Sequence, residues 1–204
     1  MAIIASGTKK RDPIPEGIYP AICTRVIDLG DQTSKMFGGT ARKVLFSWEI
    51  PSETITVDGV DMPRMLSKEF TISLNEKSKL RPFLESWRGK TFSETELEGF
   101  DLKNILGAPC QMQIIHNDNG YENVSSIMAL AKGMERPKPA TELIYFDLSV
   151  ANCLDLLKKL PEWVQEKIKL SPQYRYFLEH TVGDQTVSAS DFEELDINDG
   201  DLPF

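Results

Sequence analysis

The sequence predicts a mainly β protein: a five-stranded Greek-key barrel with a helical insert, followed by a helical extension and an acidic tail. Three observations predict it. Apolar and polar residues alternate over three long segments between residues 18 and 74. The period then becomes helical between Asn75 and Ile105. Two further alternating segments flank Asn117-Asp118-Asn119-Gly120, a turn by composition.

After a polar start from Ser6 to Asp12, Pro13, Pro15 and Gly17 lead into a strand from Ile18 to Leu29, ended by Gly30. Ile18, Ile22 and Val26 fall on one parity of it, and Tyr19, Cys23 and Ile27 on the other. A loop from Asp31 to Thr40 carries Lys35, Met36 and Phe37 before Gly38-Gly39. The second strand, Arg42 to Ile50, sets Val44, Phe46, Trp48 and Ile50 on one face and Lys43, Leu45, Ser47 and Glu49 on the other, and Pro51 is expected to stop it. Val57-Asp58-Gly59-Val60 has the signature of a tight hairpin, predicting a ribbon of Glu53–Val57 against Val60–Met65. In the third long strand Leu66, Lys68, Phe70, Ile72 and Leu74 share a face.

Leu80, Phe83, Leu84 and Trp87 recur at helical spacing between Asn75 and Arg88. Ser93 with Glu96 three residues later is a capping box, opening a second helical stretch toward Ile105 that Gly107-Ala108-Pro109 ends. Cys110–His116 and Tyr121–Leu130 are the fourth and fifth strands. Three long strands, a helical insert and a terminal hairpin follow one another as in an OB-fold.

The chain divides into a core at 1–132, a linker and helical extension at 133–182, and a tail at 183–204. Gly133 to Pro139 reads as a semi-rigid linker, with prolines at 137 and 139. Ser149 is placed to cap a helix containing Val150, Leu154, Leu157 and Leu160, and Pro161 to start another with Trp163, Val164, Ile168 and Leu170, before Pro172 interrupts. The extension is too short for a core of its own, so it should pack on the barrel or on a second subunit, making a homo-oligomer. From Gly183 onward Ser, Thr, Asp and Glu dominate, the composition of a disordered segment.

No window approaches the roughly 20 apolar residues of a membrane span, and Met1 to Arg11 lacks the apolar core of a signal peptide. A soluble, cytoplasmic protein with no membrane partner is expected. Cys23, Cys110 and Cys153 are widely spaced among aliphatic residues and read as buried thiols, neither a disulfide framework nor a zinc site. A net charge of -8 argues against a nucleic-acid partner, but seven acids and no base lie between Asp184 and Phe204. Setting those seven aside from 31 acids and 23 bases leaves 24 against 23, so the body is nearly neutral.

Catalytic chemistry has little to stand on. His116 and His180 are the only imidazoles, and neither has a ligand partner at metal-binding spacing. Phosphate-cradling loops, nucleophile elbows and dinucleotide fingerprints are missing from the sequence. Glu94, Glu96 and Glu98 read as a solvated helix start. No enzyme, cofactor or metal is expected. Binding is better supported: holding a single strand takes cations along the phosphates and flat side chains under the bases. The second strand and its loop supply Lys35, Phe37, Arg42, Lys43, Phe46 and Trp48, the third supplies Lys68 and Phe70, and Tyr121 stands beside the Asn-Gly turn. The competing assignment for Phe46, Trp48 and Phe70 is the barrel interior.

The sequence closes on Asp199-Gly200-Asp201-Leu202-Pro203-Phe204. This resembles the acidic tip of bacterial single-stranded DNA-binding proteins, which ends in Ile or Leu, Pro and Phe after a run of acids. Asp199, Asp201, Leu202, Pro203 and Phe204 match, and Gly200 replaces an acid. The resemblance implies a phenyl ring that enters a partner's pocket, a carboxylate that pairs with a basic side chain, and acids that steer the encounter. The segments Tyr19 to Gly30 and Ser73 to Gly89 are similar to a family of bacteriophage proteins taken to be single-stranded DNA-binding proteins. Together the resemblances imply binding and protection of single-stranded DNA, with little sequence preference, in phage replication, recombination or repair in the bacterial cytoplasm. The alternative is an interaction module that engages or diverts host DNA-processing enzymes through the tail without holding DNA.

Overall fold

The computed structural model describes residues 12–33, 38–57, 59–149 and 153–182. The strands are β1 (Gly17–Thr33), β2 (Thr40–Val57), β3 (Val60–Thr71), β4 (Pro109–His116), β5 (Glu122–Met128) and β6 (Ile144–Phe146). The helices are α1 (Leu80–Arg88), α2 (Glu94–Glu98), α3 (Cys153–Lys158), α4 (Glu162–Lys169) and α5 (Pro172–Val182), with a 3₁₀ turn at Leu102–Ile105. They build a mainly β protein around one open sheet in the order β3-β2-β1-β4-β5, antiparallel throughout, with β6 added parallel to β1. The long β1 organises the sheet. Ile22 to Thr33 pairs with β2, Gly17 to Ile22 pairs with β4 on the other edge, and β6 takes up that edge at Arg25 to Ile27.

Several elements differ from expectation for local reasons. Pro51 does not end β2, because it sits in the register shift between Ile50 and Thr54, where the ladder needs no donor. The first helix starts at Leu80 rather than Asn75: residues 75–79 offer no apolar side chain to the core, and Ser78 Oγ instead accepts the Arg81 N–H. The capping box forms at Ser93 and Glu96, but α2 stops at Gly99, which is extended. Pro172 opens α5 instead of interrupting the chain, since a proline in the first turn forfeits no hydrogen bond and Ser171 Oγ accepts the Tyr174 N–H. The three residues of β6 are too few to show a period.

Two apolar cores lie on opposite faces of the sheet. On the first face Val44, Phe46, Trp48 and Ile50 of β2 meet Leu66 and Phe70 of β3, Met112 and Ile114 of β4, and Leu80, Leu84 and Trp87 of α1. On the second, Ile27, Leu29 and Leu45 are covered by Phe146, Leu157, Leu160, Val164 and Ile168, so the extension packs on the sheet of its own chain. Glu49 clasps it there: the fully buried carboxylate accepts the backbone N–H groups of Ala140 (2.8 Å) and Thr141 (3.1 Å) and the Thr141 hydroxyl. Gly30, at φ +68°, lies so close to the α4–α5 junction that a Cβ would meet Ser171 Cβ at 2.6 Å.

No backbone ladder is recorded between the outer strands β3 and β5. Side chains bridge the gap instead. Arg64 donates to the Asp12 carbonyl, the Ile14 N–H donates to Glu122 Oε1 (3.1 Å), and Ile14 itself is fully buried. His116 Nε2–H donates to the Ile14 carbonyl (2.7 Å), so this imidazole anchors the N-terminal segment. Lys68 donates to the Val124 carbonyl in the middle of the gap, and Ser86 of α1 to the Ile127 carbonyl below it.

Candidate nucleic-acid interface

The expected binding residues separate into three groups. Lys35 and Phe37 lie outside the described residues, as do Asp199, Asp201, Leu202, Pro203 and Phe204. Phe46 and Trp48 are fully buried and Phe70 is 5 % exposed. They form one aromatic cluster with Phe83 and Trp87, with ring centroids 4.5 to 6.4 Å apart. Their parity on β2 and β3 turns them toward α1, so these three rings fill the interior and are not available to stack on a base.

Arg42, Lys43, Lys68 and Tyr121 reach the surface. Arg42 is spoken for electrostatically: its Nε and Nη2 donate to Asp28 Oδ1 and Oδ2 (3.2 and 2.6 Å). That hydrogen bonding raises the guanidinium pKa above its usual value, with Asp147 and Asp31 adding to the effect. Lys43 Nζ donates to Thr71 Oγ1 (2.7 Å), its cross-strand partner. The Tyr121 ring is 58 % exposed, beyond a turn in which Asn117 Oδ1 accepts the N–H groups of Asn119 and Tyr121.

Lys68 has the most informative setting. It shares the inward parity of Leu66 and Phe70, but at the sheet edge that direction opens into the gap beside β5. Its stem is half-buried and its ammonium lies 5.9 Å from the Phe83 ring centroid. Burial lowers its pKa, and the charge of Lys79 lowers it further. Lys79 immediately precedes α1, and Lys77 stands two residues earlier on the rim of an open cleft of about 710 Å³ that Ser73, Asn75, Glu76 and Arg81 also line. Among the described residues no ion pair engages Lys77 or Lys79, whereas Arg81 is held by Glu85 and Arg88 by Glu96. A basic seam therefore follows the β3–β5 gap, with Tyr121 at one end and Lys68, Lys79 and Lys77 beyond it.

Sequence reasoning missed Lys77 and Lys79, although a charge count carries the signal: residues 64–90 hold seven bases against three acids. Among the described residues no group of three or more His, Cys, Asp or Glu side chains is placed to hold a metal, and no helix is long and apolar enough to cross a membrane. Cys23 and Cys110 are free and buried, and burial pushes the Cys23 thiol up to about 12 and raises that of Cys110 as well. Comparisons with protein-family models, curated proteins and solved structures find no match to the chain.

Proposed function

We propose that the protein binds single-stranded DNA with little sequence preference through an OB-type core, without enzymatic activity. In the same reading its acidic tail recruits replication, recombination or repair proteins in the cytoplasm of a phage-infected bacterium. The observation that carries the reading is the basic seam at Lys68, Lys77 and Lys79 with the exposed Tyr121 ring at its end, the pairing of cation and flat side chain that a single strand requires. The strand order β3-β2-β1-β4-β5 with α1 between β3 and β4 supports the OB assignment, because closing β3 onto β5 would give that barrel. The nearly neutral body is compatible with modest affinity, because only cations placed along the strand release counterions.

Fluorescence anisotropy of labelled oligo-dT at low salt tests this. The expected result is saturable binding that an equal length of duplex competes for poorly. Failure to bind at low salt would overturn it and leave the tail as the functional element, as in the interaction-module alternative. That alternative gains from the burial of Phe46, Trp48 and Phe70, which removes three of the expected stacking rings.

A further inference from the structure

The helical extension carries its own flat surface. Tyr176 of α5 is 63 % exposed, and its ring is stacked on His180 one turn later, with centroids 3.8 Å apart and planes 26° from parallel. His180 Nδ1–H donates to the Tyr176 carbonyl (2.8 Å), which fixes the imidazole and so steadies the tyrosine it supports. The pair borders a groove of about 870 Å³ floored by Leu148, Pro172 and Phe177. Its rim holds Arg175 beside Glu179, and Arg42, whose guanidinium is already paired with Asp28. A groove of this size accommodates one or two nucleotides.

We propose that this groove is a second contact site for single-stranded nucleic acid. A base stacks on the open face of Tyr176, and a flanking phosphate meets Arg175. The inference rests on the single-strand reading above but uses none of the seam residues, since α5 belongs to the extension that covers the opposite core. It gives the extension a binding role beyond packing. A strand long enough to engage both sites gains affinity from the second contact, as linked sites do.

The test is photocrosslinking of the full chain to an oligo-dT carrying 5-iododeoxyuridine, with crosslinked peptides mapped by mass spectrometry, beside binding curves for Tyr176→Ala, Tyr176→Phe and Arg175→Glu. Crosslinks should appear on the peptide containing Tyr176. Loss of one stacked base should weaken binding of a long oligonucleotide about fivefold to a hundredfold in Tyr176→Ala, and Tyr176→Phe should restore most of it. Both substituted side chains are exposed, so thermal melts should match wild type. If wild type binds and Tyr176→Ala and Arg175→Glu bind equally well with no crosslink at Tyr176, this site is wrong and the seam stands. If wild type does not bind at all, both proposals fall together.

Discussion

Replacing Trp48 with alanine separates an interior ring from a base-stacking one. The side chain is fully buried, with Phe46, Phe83 and Trp87 at centroid distances of 6.0, 5.8 and 5.7 Å. Truncation removes the ring that joins β2 to α1 and leaves a cavity that three large neighbours cannot close without leaving their rotamers. Substitutions of this kind cost about 3 to 5 kcal/mol. For a chain of this size each kcal/mol lowers the melting temperature by about 2 to 4 °C, so a fall of roughly 6 to 20 °C is expected. Thermal and urea unfolding followed by circular dichroism would measure it, with oligo-dT binding measured well below the melting point. The folded fraction should bind as wild type does. A variant that melts within a degree or two of wild type and binds DNA tenfold less well would refute the interior assignment.

Gly30→Ala combines a positive φ with a Cβ 2.6 Å from the buried Ser171, so it should cost at least about 2 kcal/mol and make the extension more sensitive to protease. Gly59→Ala, at φ +81° in open space, bears only the backbone part and serves as the control in the same urea melts. Glu49→Ala leaves the Ala140 and Thr141 N–H groups unpaired beside the half-buried Arg25, a loss of about 3 to 5 kcal/mol, and Glu49→Gln should recover part of it by urea unfolding. Deleting residues 184–204 should tighten DNA binding most at low salt, because seven acids no longer compete for the cations in cis. Removing Phe204 alone should leave DNA affinity unchanged and abolish pull-down of replication and repair proteins from a bacterial lysate.

The helical period of α1 and the strand pattern of β2 and β3 were legible because one face of each is the more apolar, although β1 and the middle of β2 are covered on both faces by the two cores. The parity that identified Phe46, Trp48 and Phe70 as one set was correct, but parity alone does not say which face is inside. That choice followed from α1, whose Phe83 and Trp87 arrive from a distant part of the chain to meet them. Lys68 was legible as a cation on an apolar face. Its role was not, because the gap it enters exists only once β5 lies beside β3. Tyr176 and His180 were invisible for a similar reason: Pro172 reads as a break until Ser171 is seen to cap the helix it begins.

The proposed path of a single strand runs along Lys68, Lys77 and Lys79, and the salt dependence of binding tests it most directly. With oligo-dT of about six nucleotides, short enough to occupy one site, three neutralised phosphates predict a slope of log K against log salt of about -2 for wild type. The double variant Lys77→Glu/Lys79→Glu should bind more weakly, with a slope near -0.7, as for the single remaining contact at Lys68. Identical slopes and affinities in the two proteins would remove the seam as the place where DNA is held.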